Sequence, residues 1–581
     1  MRKKFVSFLL IFALVLSAGC NKTVSTNGSD GSDDPDDIPA INGTDITPDD
    51  NNNDDNTDDF SSLINMPRVE LEIVFSEDFE SGESAFTGRA GERVAIVEHG
   101  FEGGKSLVAF DRTAAWNGPR IDLTNYVEPN SLYEFSAMIK YDHELAGTPS
   151  ERLTASLDVD GGFSNVAHVF ANFGEWIEIK GTFTPPEEFK SFALYFEGGA
   201  DASGFFPGIY LDNFVVSKVI VEKLAPDLLP SIYKVHEDFF SVGVGVLVAD
   251  LRNPDSSALI NHHFNSITMG NEMKPDSLLD RAGSLADPEM MPVIRTAVLD
   301  ECLSYARDNG LKMRGHTLVW HSQTPSWFFK EDYSQDRNAP NVSREVMLAR
   351  LEHYIMTVLT YCQENYPDVI YAWDVVNEAV DPGSKDPDKI RDTYNNAPNP
   401  WYEVVGADYV EMSFYYARKY AAPEVKLFYN DYNEYEPNKM FPIINLLAGL
   451  KEKGLVDGMG MQAHIGFTNP SSIDFQSALL RYAELGIEIQ ITELDIDLRS
   501  NSEEDLLQLA IRYKRLMNIF RYCVESGQAN ITNVTLWGLS DRDSWLNDRE
   551  GGRRYPLLFD DYFYPKLAFW GFILDDSIPL F

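Results

Sequence analysis

Hydrophobic and polar positions follow two different rhythms along this chain. Between about residues 70 and 220, short apolar runs of period two recur at 71–75, 93–97, 106–110, 133–141, 153–159, 176–183, 192–197 and 208–219, with Gly, Pro and Asn between them. Such runs are half-buried strands, and their spacing predicts a β-sandwich. From Ser231 onward, strand-like runs at 242–248, 266–269, 312–319, 369–376, 425–429, 458–463, 487–491 and 533–537 alternate with amphipathic helices. In one helix Leu348, Leu351, Ile355, Val358 and Cys362 recur in steps of three and four after Ser343. Another opens on Ser502-Glu-Glu-Asp505, a capping-box pattern. Eight strands alternating with helices predict a closed α/β barrel of the TIM (β/α)8 type. The expected fold is therefore multidomain, an all-β, jelly-roll-like sandwich followed by that barrel.

The N-terminus fits neither rhythm. Met1-Arg-Lys-Lys4 precedes an apolar run of 12 residues from Phe5 to Leu16. That run is short for a bilayer span and suits a signal peptide. Ser17-Ala18-Gly19-Cys20 resembles a bacterial lipoprotein cleavage site, with Leu16 one step further out than is usual. This predicts a signal over 1–19 and a lipid on Cys20, tethering the protein to the outer membrane or cell surface without a transmembrane helix. Residues 20–68 read as a tether: between Asn27 and Phe60 there are 12 Asp and no Lys or Arg. Such a segment buries too little apolar surface to offset its ordering entropy. The sandwich is expected over 69–222, a Pro-containing linker over 223–231 and the barrel over 232–581.

The net charge of −43 argues against nucleic acid and anionic membrane surfaces as partners. Beyond Cys20, the cysteines Cys302, Cys362 and Cys523 lack metal-ligand spacing and read as small core residues. Nothing in the sequence argues for oligomerisation, so a monomer is expected. No cofactor is expected for catalysis. The sequence leaves open a structural calcium ion in the sandwich.

Candidate chemistry sits where the barrel's predicted strands end. The strand over 369–376 runs out at Asn377-Glu378, and that over 487–491 at Thr492-Glu493-Leu-Asp495. Two carboxyl groups facing one glycosidic bond are the minimum equipment of a glycosidase. Polar and aromatic residues close five of the six other strands: Asn271 and Lys274; His316, Trp320 and His321; Asn430 to Asn433; Gln462 and His464; and Trp537. In a (β/α)8 barrel the strands' C-terminal ends build the active site.

The ordered motifs Gly315-His-Thr-Leu-Val-Trp-His321, Trp373-Asp-Val-Val-Asn-Glu378, Ile491-Thr-Glu-Leu-Asp495, and Trp537-Gly through Ser544-Trp545 closely resemble glycoside hydrolase family 10, the endo-β-1,4-xylanases. The resemblance implies retaining hydrolysis of xylan, with Glu378 as general acid/base and Glu493 as nucleophile. It implies supporting roles for Asn377, His464 and Asp495, and a substrate cleft lined by Lys274, His316, Trp320, Gln323, Tyr432, Trp537 and Trp545, with Asn271 and Gln462 alongside. In a retaining enzyme the two carboxyl groups stand about 5–5.5 Å apart. Glu378 should be protonated near neutral pH, its pKa raised by burial and by Glu493. One position departs from the family: Gly270 stands where a sugar-binding Glu is common, with Glu272 two residues on. The sandwich resembles carbohydrate-binding module family 22 through Phe86-Thr-Gly-Arg89, Arg112 to Pro119, Tyr195-Phe-Glu197 and Tyr210 to Phe214. That implies a xylan cleft formed by Arg89, Trp116, Tyr195 and Glu197. Two other readings remain at this point: a surface glycan-binding lipoprotein with an inactive barrel, or another retaining β-glycanase.

Overall fold

The computed structural model describes residues 69–142, 150–199, 205–549 and 552–580. The expected signal peptide, Cys20 and the tether lie outside the described residues. Among the described residues no helix is long and apolar enough to cross a membrane.

Eight parallel strands close the barrel: β1 (Ser241–Val246), β2 (Ser266–Met269), β3 (Lys312–Trp320), β4 (Ile370–Asn377), β5 (Lys426–Asp431), β6 (Gly458–Met461), β7 (Glu488–Asp497) and β8 (Ile531–Leu536). Each pairs with its neighbour in parallel, and β1 closes on β8 with Ser241 opposite Asn533. The connecting helices bury their apolar stripes against this cylinder. Arg344–Asn365 is capped by Ser343, whose hydroxyl accepts the Val346 N–H, and it buries Met347, Leu351, Ile355, Val358 and Cys362. Leu348, expected in that stripe, is only half-buried, because Met347 faces inward instead. Ser502 caps Glu503–Glu525 by accepting the Asp505 N–H at 3.2 Å. Cys302, Cys362 and Cys523 are buried free thiols.

A charged layer fills the barrel beneath the strand ends. The Arg314 guanidinium forks onto Asp374 and donates to Gln490 Oε1 at 2.5 Å, and Asp374 also faces His316 Nδ1 at 3.0 Å. Burial works against both charges, yet the pairing raises the pKa of Arg314 and lowers that of Asp374. An ion pair buried this deeply is held by complementary geometry, since desolvation offsets much of the attraction.

The sandwich has two antiparallel sheets. One contains Val69–Glu77, Arg93–Val97, Ser106–Phe110, Tyr133–Tyr141, Ile177–Phe183 and Ile209–Val221. The other runs Thr87–Gly88, Pro119–Asp122, Phe192–Gly198, Glu151–Val159 and Gly162–Ala171. Phe135, Ile139, Leu153, Leu157, Leu194, Phe196 and Phe214 fill the space between them. The edge strand Gly162–Ala171 does not stand out in the sequence pattern. Against its neighbour, Ser156 pairs with Asn165 but Ala155 with Ala167, so a bulge at Val166 shifts the alternation midway.

Candidate active site and a second, sandwich cleft

The two carboxyls meet through a chain of amides. Glu378 follows β4 and takes a left-handed φ of +56°, where its N–H donates to the Asn430 carbonyl at 2.9 Å. A non-glycine residue held there stores roughly 1–3 kcal/mol of strain and persists only when its surroundings fix it. Arg391 helps to fix it by donating to the Glu378 carbonyl at 3.1 Å. Glu493 lies within β7, whose ladder with β8 shifts register between Ile491 and Leu494. Between them, Asn430 Nδ2 donates to Glu493 Oε1 at 2.7 Å and to Asn377 Oδ1 at 2.9 Å. Asn377 Nδ2 then donates to Glu378 Oε1 at 3.2 Å. Asn430 is itself oriented by Thr492, whose hydroxyl donates to its Oδ1 at 2.6 Å. Gly460 on β6 makes room for this bridge: a Cβ there would lie 2.4 Å from Asn430 Oδ1.

The two environments push the acids in opposite directions. Glu378 Oε2 accepts from the Trp320 indole at 3.0 Å, and Oε1 accepts from Gln462 Nε2 at 3.1 Å. Its pKa is raised, first by burial and then by the nearby Asp431 carboxylate. Asp431, not Glu493 as expected, is thus the leading like charge. For Glu493 burial also opposes ionisation, but the His464 hydrogen bond, His316 and Asn430 outweigh it and hold the pKa low. His464 bridges the two acids of β7, with Nε2 3.0 Å from Glu493 Oε2 and Nδ1 2.9 Å from Asp495 Oδ1. Burial disfavours its charge, yet Asp495 and Glu493 carry its pKa up to about 10. The imidazole is therefore a cation clamped between carboxylates. Asp495 Oδ2 accepts in turn from the Trp545 indole at 2.7 Å.

The other expected residues gather around this pair. Lys274 Nζ donates to Gln323 Oε1 at 2.9 Å and stands 4.9 Å from the Trp320 ring centre. Gln323 donates to Asn271 Oδ1 at 3.1 Å. Trp537 packs edge-on against both His316 and His464. Tyr432 is more encumbered than a free stacking platform would be, with Lys439 3.4 Å from its ring centre and its hydroxyl accepting from Arg391 at 3.3 Å. Glu272 does not stand in for a carboxylate at Gly270, because it is turned back to accept the Val248 N–H at 2.9 Å. Asn430, Thr492, Arg391 and Asp431 also belong to the site, although the sequence motifs imply no role for them. Asn430 and Asp431 at least carried the strand-end signal.

The five-stranded sheet of the sandwich carries a second cluster on its outer face. The Arg89 guanidinium lies 3.7 Å from the Tyr195 ring centre, 4.5 Å from Phe163 and 5.1 Å from Trp116. It is 3.6 Å from Glu197, whose other oxygen accepts from Ser156 at 2.7 Å. Trp116 is half exposed, at 50 %, and Phe163 is 60 % exposed, as rings awaiting an apolar face would be. The four expected residues are brought together, and Phe163 joins them.

The fold and the site define a (β/α)8 barrel with a two-carboxylate centre at its C-terminal strand ends, joined to a β-sandwich with an aromatic cleft. Residues 231–574 match the family model "Glycosyl hydrolase family 10", and residues 71–204 match the model "Carbohydrate binding domain". The chain belongs to glycosyl hydrolase family 10. It is 34% identical over 524 residues to endo-1,4-beta-xylanase A of Thermotoga maritima, covering 87% of this chain and 46% of that protein. It is 42% identical over 351 residues to endo-1,4-beta-xylanase B of Butyrivibrio fibrisolvens, covering 59% of this chain and 53% of that protein. The chain thus spans about half the length of these curated relatives. Among solved structures, the CBM22 and GH10 modules of a Clostridium thermocellum endo-1,4-beta-D-xylanase, complexed with xylohexaose, superpose with a TM-score of 0.56 at 30% identity. That match covers 88% of this chain and 98% of that one.

Proposed function

We propose that this protein is a retaining endo-β-1,4-xylanase with an appended xylan-binding module. The observation that carries the reading is the opposed pair, Glu378 held up and Glu493 held down in pKa, bridged through Asn377 and Asn430. Separated pKa values assign the acid and the nucleophile. Protonated Glu378 gives its proton to the glycosidic oxygen as the bond to the anomeric carbon breaks. Glu493 attacks that carbon, forming a glycosyl ester and inverting it once. The ester is uncharged and Glu378 is now ionised, so Glu378 takes a proton from water as the water's oxygen displaces Glu493. Two inversions give net retention. Xylan as substrate is supported by the xylanase relatives and by the xylohexaose complex of the structural neighbour.

Anomeric proton NMR during cleavage of xylohexaose tests this. The β-anomer of the new reducing end should appear first, with the α-anomer following by mutarotation. First appearance of the α-anomer would overturn retention. Absence of any product, with xylan still bound, would favour the inactive glycan-binding alternative.

The sandwich cleft, which resembles binding-module family 22, is proposed to hold a xylan chain by stacking on Trp116 and Phe163, with Arg89 and Glu197 meeting hydroxyls. Arg89→Ala removes the cation shared by three rings. It should weaken binding to insoluble xylan about tenfold, the scale of a desolvated cation–π contact, and leave xylohexaose turnover unchanged. Equal retention of the parent and Arg89→Ala on xylan in a depletion assay would count against the cleft. Export with a lipid on Cys20 belongs to the same proposal, and a Cys20→Ser protein that stayed in the membrane fraction would contradict it.

A further inference from the structure

Ala463 stands between the two side chains that reach the opposed acids, Gln462 toward Glu378 and His464 toward Glu493. Its φ is +57°. The pairing with β7 changes step here: Met461 at the end of β6 pairs with Ile491, but His464, opening the short strand His464–Gly466, pairs with Asp495. Three residues on one side therefore oppose four on the other. The Ala463 N–H is turned out of that ladder and donates to Glu434 Oε1 at 3.1 Å. Glu434 follows β5 and is fully buried, at 0 % exposure. Its own carbonyl accepts from the Tyr482 hydroxyl at 2.8 Å, while its Oε2 has no hydrogen-bond partner among the described residues. Apart from the nearby Lys439 cation, this buried carboxyl is met by backbone N–H groups alone, its own and that of Ala463, which is costly, so a fold that keeps it there gains something from it. Burial pushes this carboxyl up to about 7, so over the acid range it accepts the N–H largely as a neutral group.

We propose that Glu434 is a positioning residue for hydrolysis. By holding the Ala463 N–H it fixes the left-handed kink that sends Gln462 to one acid and His464 to the other. An L-residue is relieved of steric strain by leaving that conformation, so without the anchor the kink relaxes. His464 and Gln462 then lose their alignment, and displacements on the scale of an ångström cost on the order of 10²-fold in rate. The role rests on the xylanase reading.

The test uses the full chain with Glu434→Ala and Glu434→Gln, following kcat and KM on xylohexaose, the pH profile, and the fraction of active sites by titration. Glu434→Ala should lower kcat per titrated site by about 10- to 100-fold with KM little changed. Its acid limb should move to higher pH, because Glu493 loses the hydrogen bond that holds its pKa down. Glu434→Gln should stay near the parent, since its amide oxygen accepts the same N–H. Where the single variant folds poorly, the double variant Glu434→Ala with Ala463→Gly keeps the test open. Glycine takes a positive φ without strain, so the acid limb should return toward the parent. An unchanged acid limb in Glu434→Ala, a Gln variant as impaired as the Ala variant, or a double variant no better than the single would each overturn the role. An inactive parent chain would instead sink the hydrolase reading, and this role with it.

Discussion

Glu493→Ala is expected to lose turnover of xylohexaose by a factor on the order of 10⁶, the scale on which removal of a covalent nucleophile is felt. The size follows from what surrounds the carboxylate. Its Oε1 is fixed by Asn430 and its Oε2 by His464, so its attack geometry is set before substrate arrives. Alanine leaves His464 with Asp495 alone, and a cation with one carboxylate partner replaces a cation between two. Nothing remains that can form the ester. The variant should still bind xylan through the sandwich, which separates loss of chemistry from loss of folding. A small anion such as azide, admitted to the space vacated by the carboxylate, should restore part of the rate on an aryl β-xyloside. It would give a product of the opposite anomeric configuration, because only one inversion then occurs. Two outcomes would reassign the nucleophile: wild-type product patterns from the alanine variant, or a rescued product that retains configuration.

The sequence carried the positions of these acids further than it carried their partners. A Glu closing a β-branched, aromatic run is visible in one dimension, and so is its recurrence 115 residues later at Glu493 (493 − 378). Periodicity also marked every barrel strand, because strands buried on both faces read as apolar runs. What joins Glu378 to Glu493 was hidden, since Asn430 meets both sides only when β4, β5 and β7 are rolled into one cylinder. The like charge that raises Glu378 was misjudged for the same reason. Asp431 lies on the adjacent strand, whereas Glu493 has its charge largely met by His464. In the sandwich, Phe163 was lost with its strand. The bulge at Val166 moves the outward-facing set from Phe163 and Asn165 to His168 and Phe170, so a test for strict alternation fails across it.

The barrel and the sandwich use the same physics for different ends. Around Arg89 the Trp116 and Phe163 rings are open to solvent while Tyr195 is buried against the guanidinium, which suits reversible binding of a polymer. Around Glu378 and Glu493 most polar side chains are hydrogen-bonded, and several residues, Glu378, Ala463 and Gln323 among them, hold left-handed backbones. Strain and fixed dipoles belong where charge develops during a reaction. That contrast separates a binding surface from a reaction centre within one chain.

Glu378→Gln should lower kcat/KM on xylan by about 10²- to 10⁴-fold, the usual contribution of a positioned general acid. The amide keeps the shape and its oxygen can still accept from Trp320, but its NH2 then faces the Gln462 and Asn377 donors, so the variant loses the proton and also one side's hydrogen bonds. The pH profile carries the sharper consequence. In the parent, activity needs Glu493 ionised and Glu378 protonated. Glu493 is held low, so activity should persist below the ordinary carboxylate range and fall only as pH drops through that depressed value. Glu378 is raised by burial and Asp431, so the basic limb should lie above the ordinary carboxylate range, with activity falling as pH rises through it. In Glu378→Gln the basic limb should vanish while the acid limb remains. Substrates whose leaving group needs no proton, such as a dinitrophenyl xyloside, should form the ester at a near-parental rate and then stall, because no base activates water. A burst of phenolate followed by slow turnover, with a lowered KM, is the expected record. A variant that loses rate equally on both substrates, with both limbs in place, would remove Glu378 from proton transfer.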